Sequence, residues 1–215
     1  MTIARDDTSV SLPGSSVPST SCLVPQASTR RRPDRAGVHM TFRRKLAAEW
    51  GVVTGAKSMP ASGIYNSAFG TFALYYNTSG GYNTAIGRSA LYANTSGSSN
   101  TATGSGSLES NTTGSYNTAL GGKSLYNNSM GINNTAIGYT SLERNTTGSQ
   151  NVATGNSSLF ANIDGTFNTA IGYGALWYNT YGNRNTALGN YAGDVIQTGS
   201  DNVLIGSGSD PSSAT

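Results

Sequence analysis

The stretch Asn134-Thr135-Ala136-Ile137-Gly138-Tyr139-Thr140-Ser141-Leu142-Glu143-Arg144-Asn145-Thr146-Thr147-Gly148-Ser149-Gln150 decides the fold, because Asn151 begins the same pattern again. Its opening pentapeptide, N-[TSV]-[AL]-x-G, starts at Asn66, Asn83, Asn100, Asn117, Asn134, Asn151, Asn168, Asn185 and Asn202, and every interval is 17 residues. A second signal follows the first seven of these by 11 residues, at Asn77, Asn94, Asn111, Asn128, Asn145, Asn162 and Asn179. Three residues later comes a glycine, from Gly80 and Gly97 through to Gly199. A short period kept without one insertion means that every unit meets the same environment in a stack.

Seventeen residues are too few for a helix pair, which needs about 33 or more. β-branched residues alternate with small ones between the glycines, which favours a coil of a parallel β-solenoid. Thr-Ala-Ile and Ala-Leu-x are each expected to form a short strand, with glycine at two fixed places supplying the positive φ of tight corners. Proline is absent from 61 to 210, as a ladder using every backbone N–H requires. Nine coils at about 4.8 Å each predict a rod on the order of 43 Å long.

Read column by column, the repeat separates structure from candidate chemistry. Asn83, Asn100, Asn117, Asn134, Asn151, Asn168 and Asn185, with Gly87, Gly104, Gly121 and Gly138, read as a structural ladder in which each side-chain amide bonds to the same amide one coil away. The apolar columns run through Ala85 and Ala136, through Phe69, Ile86, Leu120, Ile137 and Ile171, and through Leu74, Leu91, Leu108, Leu125, Leu142, Leu159 and Leu176. One small and two large apolar groups per coil are too few to offset the entropy of ordering the coil, so burial between chains, and hence an oligomer, is expected.

The position after the repeated Leu carries Tyr75, Tyr92, Tyr126, Phe160 and Trp177, interrupted by Glu109 and Glu143. Facing solvent, these aromatics can stack on sugar rings or on a protein partner; facing inward, they fill a groove between subunits. Asn77-Thr78-Ser79, Asn94-Thr95-Ser96, Asn111-Thr112-Thr113 and Asn145-Thr146-Thr147 are glycan acceptor triplets, but a repeat that stacks Asn and Thr generates them automatically. Threonine ladders at Thr84, Thr101, Thr118, Thr135, Thr169 and Thr186 and at Thr78, Thr95, Thr112, Thr146 and Thr180 raise an ice-binding alternative. A glycine corner separates the two ladders, and Thr-x-Thr pairs occur only at Thr101-Ala-Thr103. A glycan-cleaving alternative rests on Glu109 and Glu143, two coils apart in one column, with Tyr126 between them.

Composition narrows the field further. Of 215 residues only 36% are hydrophobic and 11% charged, and there is no apolar run of the ~20 residues a spanning helix needs, so no membrane span is expected. One cysteine, Cys22, and one histidine, His39, leave no expectation of a disulfide scaffold, a metal site, a cofactor or a catalytic residue. All asparagines and tyrosines lie after residue 60, whereas nine of the 13 Lys+Arg lie before it. Residues 1–60 therefore read as a basic, Ser/Pro-rich, disordered arm, 61–206 as the repeat domain and 207–215 as a flexible tail. The Arg30-Arg31-Arg32 run is read as solvated, with no nucleic-acid partner expected. The arm lacks the apolar stretch of a secretory signal, and Met40 is a second candidate start, which would make 1–39 a mis-called extension.

Asn134-Thr-Ala-Ile-Gly138, Asn145-Thr-Thr-Gly148 and Asn185-Thr-Ala-Leu-Gly-Asn-Tyr-Ala-Gly193 resemble the N-T-A-I-G/N-T-T-G repeats of bacteriophage tail-fibre and tail-spike proteins. More loosely, they are similar to the head repeats of trimeric autotransporter adhesins. The resemblance covers residues 66–206 and implies a trimeric β-roll in a non-enzymatic stalk or adhesive segment, on a virion or a bacterial cell surface, that presents its repeats to a cell-surface glycan or protein receptor. On this reading no counterpart of the chaperone and anchor domains of these families is expected within the 215 residues.

Overall fold

The computed structural model describes residues 63–208; the basic arm at 1–60 and the tail beyond residue 208 lie outside them. The described residues form a parallel β-solenoid, with one short strand per coil and no helix. The strands are β1 (Ser67–Phe69), β2 (Thr84–Ile86), β3 (Thr101–Thr103), β4 (Thr118–Leu120), β5 (Thr135–Ile137), β6 (Val152–Thr154), β7 (Thr169–Ile171), β8 (Thr186–Leu188) and β9 (Val203–Ile205). They pair in chain order as one parallel sheet. Each residue lies beside its equivalent in the next unit, Thr118 against Thr135 and Ala119 against Ala136, so the sequence period is also the register.

Strand alternation turns the middle residue inward: Ala85, Ala102, Ala119, Ala136, Ala153, Ala170 and Ala187 are fully buried. The chain then leaves the sheet through a glycine, Gly87 at φ 129° and its equivalents. A Cβ at Gly87 would lie 2.5 Å from the carbonyl oxygen of Gly104, so both the backbone angle and the next coil exclude a side chain there. The second repeated glycine differs from expectation. Gly97 and Gly114 have no positive φ; a Cβ on either would collide with the equivalent carbonyl one coil on, and close approach alone demands glycine.

The second expected strand is absent, and backbone conformation explains why. Leu91, Leu108, Leu125, Leu142, Leu159 and Leu176 sit at φ 51–52°, and position 89 two residues earlier is also left-handed, Ser89 at φ 58°. Such residues cannot continue a pleated strand, and each costs roughly 1–2 kcal/mol. The segment instead folds as successive tight turns, Ala90 N–H to Gly87 O, Tyr92 N–H to Ser89 O and Asn94 N–H to Leu91 O. Its remaining N–H groups tie it to the next coil, Leu91 to Ser107 O at 3.0 Å and Ala93 to Glu109 O at 2.9 Å. The turns place every Leu of the column inside, where it offsets the strain.

The core is smaller and more polar than the apolar columns suggest. Of the two large apolar columns only Leu is buried; Ile86 is 43% exposed, Ile137 39% and Ile171 41%. Their place inside is taken by small residues such as Ala90, Ser107, Ser124 and Ser141, and by asparagine. Asn94, Asn111, Asn128, Asn145, Asn162 and Asn179 are wholly buried, as are Asn83 to Asn185 of the first column. The continuous amide-to-amide ladder runs in the second column rather than the first: Asn111 Nδ2 donates to Asn94 Oδ1 at 2.8 Å, Asn128 to Asn111 at 2.8 Å and Asn145 to Asn128 at 2.7 Å. In the first column the constant partner is backbone, with Asn134 N–H donating to Asn117 Oδ1 at 3.0 Å. Both columns converge on one carbonyl per coil: Gly114 O accepts from Asn100 Nδ2 and from Asn111 Nδ2, both at 2.9 Å. A buried amide is costly only when unbonded, and in the middle coils each is bonded above, below and within its coil.

Candidate functional site

Two surfaces carry the candidate chemistry: the outer face of the sheet and the left-handed corner. On the sheet, the residues either side of each buried Ala point outward. They form a column of Thr84, Thr101, Thr118, Thr135, Val152 and Thr169 and a parallel column of Ile86, Thr103, Leu120, Ile137, Thr154 and Ile171. The second column is largely apolar and exposed from Phe69 at 51% to Ile205 at 70%. The residue preceding the first Asn adds Tyr65, Tyr82, Tyr116 and Phe167, all exposed; Tyr65 and Tyr82 have ring centroids 4.9 Å apart. Sequence reading assigned the Ile column to the core, because hydrophobicity alone does not tell which side of a three-residue strand faces in.

At the corner, Tyr75, Tyr92, Tyr126, Phe160 and Trp177 occupy one half-buried column, but the structure divides them into two clusters. In the first, Tyr75 stacks on Tyr92 with centroids 5.6 Å apart and planes 16° apart, and Tyr76 stands across both, at 85° to Tyr75 and 81° to Tyr92. In the second, Phe160 lies 5.4 Å from Trp177, and Trp177 stacks against Tyr191 at 6.3 Å, with Tyr173 and Tyr178 alongside. Cations from neighbouring columns approach the column's rings: Lys123 Nζ sits 5.9 Å from the Tyr126 ring centre and the Arg144 guanidinium 5.0 Å from that of Phe160. Stacking along the coil axis spends ring faces on one another, which favours packing of Tyr75 and Tyr92 over service as a flat platform. Phe72, Tyr76, Tyr173, Tyr178 and Tyr191 were not singled out in the sequence, since they fall in other columns and meet the stripe only through the corner turns.

Electrostatics are quiet. The Tyr92 phenol is held above its ordinary value, first by its hydrogen bond with Tyr76, then by burial and by repulsion from Tyr76, Tyr75 and Glu109. Tyr191 is raised in the same way, first by its hydrogen bond with Tyr173. At the C-terminal end Arg184 Nε donates to Asp201 Oδ1 at 2.6 Å and Nη2 to Oδ2 at 2.8 Å, a bidentate pair that lowers the Asp201 carboxyl and raises Arg184. Glu109 and Glu143 are half-buried in the corner column, with Tyr126 in the coil between them. Among the described residues no group of three His, Cys, Asp or Glu is placed to hold a metal ion, and no helix is long and apolar enough to cross a membrane.

The threonine ladders part company. Thr95 and Thr112 donate their hydroxyls to backbone carbonyls one coil on, at 2.9 Å each, so that ladder is engaged in coil-to-coil bonding. The other, from Thr84 to Thr186, lies on the sheet beside the apolar column. No family model matches the chain, and neither a curated protein nor a solved structure is similar to it.

Proposed function

We propose that the solenoid is a non-enzymatic fibre or adhesin segment, a homotrimer on a virion or bacterial surface that displays a rigid repetitive face for attachment to a host-cell glycan or protein receptor. The observation that carries this reading is the largely apolar outer column of the sheet, which runs from Phe69 to Ile205 over nine strands and is interrupted by the half-buried Thr103 and Thr154. At about 4.8 Å per coil it runs roughly 38 Å, and soluble monomers rarely leave contiguous apolar patches beyond a few hundred Å² uncovered. Covering it with equivalent sheets supplies the burial that the small interior lacks, and leaves the corners to meet a receptor. Three copies in register would present each corner several times, so weak contacts add by multivalency.

Light scattering coupled to size exclusion on the full chain tests this directly. A trimer that dissociates when Ile86, Ile137 and Ile171 are replaced by Lys supports assembly through the sheet. A folded monomer at all concentrations overturns the trimeric reading and leaves the sheet face open for a ligand.

A further inference from the structure

Seven asparagines stand in acceptor triplets Asn-x-Ser/Thr: Asn77, Asn94, Asn111, Asn127, Asn133, Asn145 and Asn156. The fold sorts them into two classes that look alike in sequence. Asn94, Asn111 and Asn145 are fully buried and Asn77 is 6% exposed, whereas Asn133 and Asn156 are exposed and Asn127 is half-buried. We infer that the solenoid folds only where its chain escapes N-linked glycosylation, because a glycan on any ladder asparagine excludes the native coil, while Asn133 and Asn156 tolerate one.

Glycan transfer forms a bond between the amide nitrogen and the anomeric carbon of a sugar carried on a lipid pyrophosphate; the pyrophosphate leaves and one amide proton is lost. In the ladder that proton has no substitute. Asn94 Nδ2 donates to Asn77 Oδ1 at 2.8 Å and to Gly97 O at 2.9 Å. Asn111 donates to Asn94 Oδ1 and Gly114 O, and Asn145 to Asn128 Oδ1 and Gly148 O. Both amide protons are committed, so a sugar removes one bond, leaving either the buried Oδ1 of the preceding amide unpaired or the glycine carbonyl with one of its two donors. It also inserts a bulky polar group where neighbouring coils are about 4.8 Å apart. Acceptor triplets ordinarily mark surface loops of secreted proteins. Four buried ones mark a chain made away from the glycosylating enzyme, and this holds whatever the fibre binds.

The full chain is expressed in one glycosylating eukaryotic cell line, in the cytosol and, through an added leader, in the secretory pathway; occupancy is read by peptide mass spectrometry and folding by protease resistance. The expected cytosolic product is protease-resistant, and the secretory one is retained, protease-sensitive and occupied on Asn77, Asn94, Asn111 or Asn145. Blocking synthesis of the lipid-linked donor with tunicamycin restores resistant, secreted protein. So does the variant Ser79→Ala/Ser96→Ala/Thr113→Ala/Thr147→Ala, which changes only exposed residues and keeps sugar on Asn133 and Asn156. Protease-resistant wild-type protein from the secretory route, with the ladder occupied or not, overturns the inference. Retention that persists under tunicamycin overturns it equally.

Discussion

The middle coils and the coil that closes the stack use the same path for opposite ends. In a middle coil such as 134–150, Leu142 fills the corner and Asn145 continues the amide ladder. In the coil that begins at Asn185, Gly193 stands in the Leu position and Ile196 in the Asn position, while in the following strand, β9, Leu204 replaces the small residue and pairs with Ala187. These changes compensate one another. A Cβ at Gly193 would lie 3.1 Å from Leu176, 3.2 Å from Leu204 and 3.4 Å from Ile196, so two larger side chains have filled the space a leucine vacated. Ile196 and Leu204 remain 5% and 7% exposed. A ladder amide needs a partner on each side, and the last one lacks an onward partner in its own column; Asn179 Oδ1 meets only a 3.5 Å contact from Asn185. An apolar plug ends the ladder without leaving another buried amide half-bonded, which is how an atypical terminal repeat seals a solenoid.

Exchanging the two solutions gives the largest expected effect. Asn128→Ile, which puts the closing residue in the middle, leaves Asn111 Oδ1 and one Asn145 Nδ2 proton without their partners, while Gly131 O keeps Asn117 as a donor. At about 1–3 kcal/mol for each of these two buried unsatisfied groups it is expected to cost roughly 2–6 kcal/mol and to abolish a cooperative thermal transition. Gly121→Ala should be nearly as severe, since its φ of 135° and the Gly138 carbonyl both exclude a Cβ; loss of protease resistance reads it out. Retention of the wild-type melting point by either variant would remove the close-packed ladder as the source of stability.

The inside-outside contrast comes next. Leu142→Ala deletes a fully buried side chain and is expected to destabilise by about 2–5 kcal/mol in denaturant titration. Ile137→Ala, on the exposed column, should change monomer stability by less than about 1 kcal/mol and act instead on assembly mass. Equal costs for the two would mean that the sheet face is buried as deeply as the corner. At the closing coil, Ile196→Asn should cost roughly 1–3 kcal/mol, less than its mirror image, because one face of the plug borders solvent.

The smallest effect belongs to the Arg184–Asp201 pair. Its carboxyl is lowered, so its contribution is present above the ordinary Asp range and is lost as pH falls through the depressed value; raised Arg184 keeps its charge throughout. Both side chains are 61% exposed, where solvent screens such pairs. Asp201→Asn should therefore flatten a slight acid-side loss of stability by lowering the neutral melting point by that same small amount, as differential scanning calorimetry at several pH values would register.

Much of this was legible in the sequence: the solenoid, the 17-residue register, the stacking of the asparagines and the glycine after each strand, though not that the asparagines are buried. The candidate surfaces were legible only in part. Tyr75 to Trp177 do share a column, yet Tyr76, Tyr173 and Tyr191 complete the ring clusters from other positions of the repeat. The Ile column was read as interior and lies outside, and the Ala-Leu segment was read as strand and is a left-handed turn.

What the amino-acid sequence determined by itself was translation along the axis. A residue repeated at constant spacing must stack on its own copies, so like meets like and asparagine ladders follow from the period alone. What only the tertiary structure decided was sidedness: which of Thr, Ala and Ile faces in, which glycine serves a corner and which a close approach, and which acceptor asparagines are sealed. Those depend on the handed path of the chain around one coil, through residues such as Leu142 at φ 52°, and a period is blind to that path because every coil repeats it.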